Sequence, residues 1–244
     1  MTGGATAGAR TAIRLLGGAA LISLATTIVL GLGLPPTEEQ GEYVRMIAIH
    51  PPLAWASYLC FGACALASIA YLVPRTRGIG WDHLAGAAAE AGVVFTALTL
   101  VTGSIWGRPT WGVWWVWDAR LTLTALLLFL FLGYLALRRV AAEPHTRARR
   151  SAVAALLAVL VVPIDHFAVE WWRTLHQKSS LTITPKENLD GNYIAVMLLG
   201  LAAMTLVAVW LVAQRYLLEA REDEAGEADL EAAIAERRAE GVPA

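Results

Sequence analysis

Charge is scarce in this chain of 244 residues: Asp, Glu, Lys and Arg make up 16% of it, against 57% hydrophobic residues. That balance excludes a disordered segment, and it excludes an ordinary soluble enzyme, because one globule cannot bury so much apolar surface. Cysteine is nearly absent, and two residues cannot build a disulfide scaffold. No glycine-rich phosphate loop occurs, so any ATP is bound by another chain. Residues 1–120 and 121–244 share no repeat, which counts against a permease built from internal repeats. Nothing in the charge pattern suggests nucleic-acid binding. Phenylalanine is sparse at five residues, but tryptophan reaches ten.

The apolar residues fall into six stretches with little or no charge: Leu15–Leu34, Pro51–Pro74, Leu84–Ile105, Leu121–Leu137, Ser151–Val169 and Tyr193–Ala213. Each is long enough to cross a hydrocarbon layer of about 30 Å, and backbone groups in lipid must pair within the segment. The reading is therefore an all-α, polytopic membrane protein with six transmembrane helices. The first stretch is too long for a signal peptide, and Gly33-Leu34-Pro35-Pro36 lacks a cleavage pattern, so it reads as a retained anchor. Placing both termini in the cytoplasm puts Arg10, Arg14, Arg75, Arg77, Arg138, Arg139, Arg147, Arg149 and Arg150 inside. Arg45, Arg108, Arg120, Arg173, Lys178 and Lys186 then lie outside, which is the bias the positive-inside rule asks for. Residues 1–216 form the membrane domain, with outer segments 35–50, 106–120 and 170–192. Residues 217–244 are an acidic cytoplasmic tail, read as a solvated, partly helical extension or a contact for a cytoplasmic subunit.

This topology sorts the tryptophans. Trp55, Trp106, Trp111, Trp114, Trp115, Trp117, Trp171 and Trp172 gather at one face, while Trp81 is inside and Trp210 lies within the last span. One or two tryptophans per helix end serve as interfacial anchors. Five within residues 106–117, shaped by Gly107, Pro109 and Gly112, read instead as an indole surface suited to a large flat apolar ligand. His50, directly before Pro51-Pro52, and His176, in Glu170-Trp-Trp-Arg-Thr-Leu-His176, flank that surface. Two neutral imidazoles from opposite sides suit the axial positions of a porphyrin iron. Asp118 reads as the N-cap of the fourth span and is compatible with ordering nearby indole N–H groups. Arg108, Arg120 and Arg173 are the cations available to ligand carboxylates, Arg120 and Arg173 the better placed.

The run Trp106-Gly-Arg-Pro-Thr-Trp-Gly-Val-Trp-Trp-Val-Trp-Asp118-Ala-Arg-Leu-Thr122 resembles the tryptophan-rich "WWD" signature of the heme-handling membrane proteins of cytochrome c biogenesis. With six spans, Ile49-His50-Pro51 and the tract ending at His176, the likeness extends over residues 11–215 to the heme exporter protein C family (cytochrome c maturation protein C) in particular. The resemblance implies a heme-transfer protein, not an enzyme, in the bacterial inner membrane with its heme site facing the periplasm. It implies non-covalent, transient binding of heme b, with His50 and His176 as axial ligands and the tryptophans as platform. It also implies partners: a membrane-anchored heme chaperone, the membrane and ATP-binding subunits of an ABC-type transporter, and a small membrane subunit.

The remaining ionisable residues and the cysteines carry further readings. Asp165 and His166 interrupt the outer part of the fifth span and suit a supporting role around the ligand, with His166 the rival of His176. Glu90 faces a neighbouring helix or a partner. His83 and His145 fall on inner loops and read as solvated. Cys60 and Cys64, at i and i+4, form neither a Cys-x-x-Cys-His motif nor a zinc knuckle and read as packing residues. The competing function from another class is a b-type, quinol-oxidising cytochrome, but the sequence lacks the mid-span histidine pair that function needs.

Overall fold

The computed structural model describes residues 3–140, 143–176 and 191–239. Among them the regular elements are all helical: α1 (Gly3–Leu32), α2 (His50–Leu72), α3 (Ile79–Trp111), α4 (Ala119–Val140), α5 (Pro144–Val159), α6 (Val161–Trp171) and α7 (Gly191–Ala239), with a 3-10 turn at Glu42–Ala48. Six segments are long and apolar enough to cross a membrane, as the sequence predicts, with α5 and α6 together forming the fifth. Lys178, Lys186 and most of the outer segment 170–192 lie outside the described residues, as do residues 240–244 of the tail.

Local chemistry fixes the helix ends. α2 starts on His50 with Pro51 and Pro52 in its first turn, where no amide needs an intrahelical acceptor. Glu143 caps α5 through the amides of His145 and Thr146, and hydrogen bonds from Thr146 and His145 hold its carboxyl below the ordinary range. The fifth span breaks at Leu160. Pro163 has no N–H to offer the Val159 carbonyl four residues back, and its ring crowds that carbonyl. α3 departs from the sequence reading by running to Trp111, so the first part of the expected 106–120 loop is helix. It stops where Gly112 takes the left-handed conformation (φ 78) and returns its N–H to the Arg108 carbonyl at 3.0 Å.

The bundle packs through small residues. Ala85, Ala87, Ala88, Ala89 and Ala91 are buried along α3, letting α2 approach, and Phe61 stacks on Phe131 with centroids 3.7 Å apart and planes 14° apart. Cys60 and Cys64 are buried free thiols in that packing. The exterior is apolar too: Ile22, Phe129 and Leu157 are largely exposed, as a lipid-facing surface requires. At 49 residues α7 is about 74 Å long, more than twice the hydrocarbon thickness, so its acidic second half extends past the bundle.

At the end of the bundle remote from His50, the first turns of that extension are tied down by ion pairs. Arg138 pairs with Asp82 and, at 3.2 Å, with Glu219; Arg147 reaches Asp82 at 3.0 Å and Asp223 at 3.2 Å. Glu90 pairs with Arg215 of α7 at 2.5 Å, taking the neighbouring-helix option. His83 departs from the solvated reading: it is buried, with Nε2 2.6 Å from an Asp223 oxygen. The reason is the uninterrupted helix of α7, which carries Asp223 back against the start of α3. His145 is exposed, with Nδ1 3.0 Å from the Tyr71 hydroxyl.

Candidate functional site

At the opposite end, α2, α3, α4, α6 and the tract after α6 enclose a cavity with about 880 Å³ of empty space including its mouth. His50 and His176 both line it, with ring centroids 6.4 Å apart and planes inclined by 38°. Each imidazole meets a tryptophan of α3 edge-on: His50 against Trp106 at 5.6 Å and 81°, His176 against Trp111 at 6.2 Å and 61°.

The Thr102 hydroxyl favours one tautomer of His50. The Thr102 hydroxyl donates to the Leu98 carbonyl at 2.8 Å, so its oxygen accepts from His50 Nδ1–H at 3.0 Å. Nε2 then keeps its lone pair for a ligand, the arrangement found for most metal-binding histidines. Gly103 makes room for the ring: a Cβ there would lie 2.9 Å from His50 Cε1. Thr102 and Gly103 were missed by sequence reasoning, although Thr99, Gly103, Trp106 and Thr110, all cavity-lining, follow the 4-3-4 spacing of one helix face.

The structure divides the tryptophans. Trp106, Trp111 and Trp115 line the cavity. The Trp106 indole donates to Gln40 at 3.1 Å, whereas Trp115 Nε1 is buried with no partner among the described residues, a donor available to a ligand. Trp114, Trp117, Trp171 and Trp172 are exposed and lie outside the cavity wall, as headgroup-depth anchors do, although Trp117 touches Trp115 edge-on at 5.4 Å. Trp55 donates to Thr205 of α7 at 3.1 Å, away from the cavity. His166 is exposed and outside the cavity, so of the two rivals His176 is the one that faces His50.

Asp118 caps α4 as expected, its Oδ1 accepting from Leu121 N–H at 2.8 Å. Its other oxygen accepts from Leu175 N–H at 3.1 Å, so the same carboxylate anchors the residue before His176. Asp118→Ala should cost about 1 kcal/mol of stability as a lost cap. It should also speed hydrogen exchange of the Leu175 amide, measured by mass spectrometry on the ligand-free protein; unchanged exchange there would reject the anchoring role. Of the arginines, Arg108 is exposed and closes on the Gly112 carbonyl, Arg173 is exposed, and Arg120 lines the cavity. Among the described residues no three metal-binding side chains cluster. Two imidazoles are too few for an ordinary structural metal site but suffice for a metal that brings its own equatorial ligands.

Fold and cavity together define a six-span membrane protein with a paired-imidazole pocket walled by indoles at one end of its bundle. The chain belongs to the heme exporter protein C family, whose model matches residues 5–230. It is 38% identical over 207 residues to heme exporter protein C of Haemophilus influenzae, covering 84% of this chain and 83% of that one. It is 40% identical over 196 residues to heme exporter protein C of Bradyrhizobium diazoefficiens, covering 78% and 74%, and 41% identical over 164 residues to that of Escherichia coli K12, covering 66% of each.

Proposed function

We propose that the cavity holds heme between His50 and His176 at the periplasmic face of the bacterial inner membrane and presents it to a membrane-anchored heme chaperone during cytochrome c maturation. The observation that carries this reading is the 6.4 Å separation of the imidazole centroids. Two metal–nitrogen bonds of about 2 Å, each extended by roughly 1 Å to a ring centre, span about 6 Å. The indoles of Trp106, Trp111 and Trp115 supply apolar and stacking area for a flat macrocycle, and the unpaired Trp115 N–H supplies a donor for one of its carboxylates. The names of the relatives support heme as the cargo.

The chain transfers its cargo and does no bond chemistry on it. Burial in a closed pocket with two strong axial bonds would trap heme, whereas the open mouth and two displaceable imidazoles suit delivery. Heme b is held non-covalently, since the two cysteines are buried in α2, remote in kind from an attachment motif. The arginine bias supports a cytoplasmic position for both termini and the acidic extension of α7, on the side where the ATP-binding subunits of an ABC-type complex, with its membrane subunits and a small membrane subunit, drive release of the loaded chaperone. Co-purification tests this reading. The wild-type chain should retain a heme-loaded, membrane-anchored chaperone, and replacing Trp106, Trp111 and Trp115 together with Ala should abolish the heme-bearing complex. Equal recovery of heme-loaded chaperone with the triple variant would reject it.

A further inference from the structure

Beneath the histidine pair, the cavity floor carries a buried carboxyl group that heme ligation does not use. Asp165 is fully buried in α6. Its carboxylate accepts from the Tyr58 hydroxyl of α2 at 2.6 Å and lies 3.1 and 3.2 Å from the Thr124 hydroxyl of α4. The Arg120 guanidinium of α4 completes the cluster: Nε is 3.8 Å from Asp165 Oδ1, and Nη1 donates to the carbonyls of Asp165 at 2.8 Å and His166 at 3.0 Å. Tyr58, Arg120, Thr124 and Asp165 all line the cavity, so by exposure alone Arg120 passes for the cation that receives the cargo's carboxylates. Its bonds argue otherwise. If it swung to an incoming carboxylate, the buried Asp165 carboxyl would lose the guanidinium beside it, and two α6 carbonyls would lose a donor.

We propose that Arg120 is a positioning residue that, with Asp165 and Tyr58, locks α6 onto α4 and α2 and so sets where the chain leaving α6 places His176 opposite His50. The tract from Trp172 to His176 has no regular structure. It hangs from the end of α6 and from Asp118, two residues before Arg120, so α4 holds both ends of the segment that delivers the ligand. The proposal rests on heme lying between the two histidines, and it reverses the propionate role expected for Arg120.

The test uses the full-length protein in nanodiscs with two probes, heme and heme dimethyl ester, whose carboxylates are blocked. Asp165→Asn and Arg120→Gln should both convert part of the low-spin spectrum to high-spin, and added imidazole should restore low spin by filling the vacated axial position. Both should leave the ratio of affinities for heme and its dimethyl ester at the wild-type value. Without any ligand, the Leu175 amide should exchange about tenfold faster in both, the equivalent of about 1.4 kcal/mol. Tyr58→Phe, which removes one hydrogen bond and keeps the charges, is the milder variant should the others fail to fold, and it should shift exchange in the same direction. Loss of affinity for heme but not for its ester in Arg120→Gln would overturn the proposal and restore Arg120 as the cargo's counter-ion. Unchanged exchange and spectra in the Asp165 and Tyr58 variants would overturn it as well. Failure of the wild type to give a low-spin spectrum would instead reject the heme reading, while the exchange measurement still decides whether the clamp holds the tract.

Discussion

His50→Ala and His176→Ala should each turn a low-spin, six-coordinate heme spectrum into a high-spin one and lower heme affinity by more than about 100-fold, the upper end of the loss seen when only a supporting partner of a metal-bound histidine is removed. The two substitutions act on opposite faces of one site, so the double variant should show no Soret band characteristic of specific binding. Thr102→Val provides the graded control. It keeps His50 but removes the acceptor for Nδ1–H at 3.0 Å, so the ring loses the contact that favours its tautomer and orientation. Affinity should then fall by about 10- to 100-fold with the low-spin signature weakened but present. His166→Ala should leave the spectrum unaltered, because that side chain is exposed beyond the cavity wall. Absorption spectra of purified protein titrated with heme decide the set. Identical spectra for the wild type and both single alanine variants at 50 and 176 would sink the axial assignment.

The His50 and His176 pairing was legible in the sequence because local chemistry and topology both pointed to it. Pro51-Pro52 fixes where α2 begins, and an even number of spans between two loops puts them on one side. The division of the tryptophans was not legible. Counting rings by side of the membrane treats the 106–117 segment as one surface, whereas its shape depends on where α3 stops. Because Gly112 and not Ile105 ends the helix, Trp106 continues the Thr99 and Gly103 stripe into the cavity, while Trp114 and Trp117 fall beyond the cap and face outward. The capping role of Asp118 could be read locally, from an acidic residue before an apolar run. Its second bond, to Leu175, joins residues 57 positions apart and leaves no local trace. The same holds for Asp165, recognisable as an ionisable residue within a span, whose partners Tyr58 and Arg120 come from two other helices. His83 was misread for a related reason: its partner Asp223 stands in a charge-rich stretch that looks like solvated tail until α7 is seen to continue as one helix.

Asp82→Ala should be the most destabilising single substitution at the other end of the bundle, by about 3–5 kcal/mol, the range for breaking a buried ion pair. The order of effects within the cluster follows from burial and side-chain volume. Asp82 is 2% exposed at its side chain and serves both Arg138 and Arg147, so its loss strips two largely buried guanidiniums of their shared carboxylate. Either substitution leaves the former partners one other ion pair each, Glu219 for Arg138 and Asp223 for Arg147 in one case, Arg147 for Asp82 and Arg215 for Glu219 in the other. Arg138→Met is milder because methionine keeps most of the side-chain volume, whereas Asp82→Ala empties the more buried position, 2% exposed against 9% for Arg138. Thermal unfolding followed by tryptophan fluorescence should therefore place Asp82→Ala well below Arg138→Met, with Arg139→Met, an exposed neighbour, close to the wild type. Asp82 and Gly103, which abuts His50, lie on one helix about 30 Å apart at 1.5 Å of rise per residue, so heme spectra of the folded Asp82 variant should match the wild type. Equal stability of Asp82→Ala and Arg139→Met would mean that the cluster is open to water and does not tie α7 to the bundle.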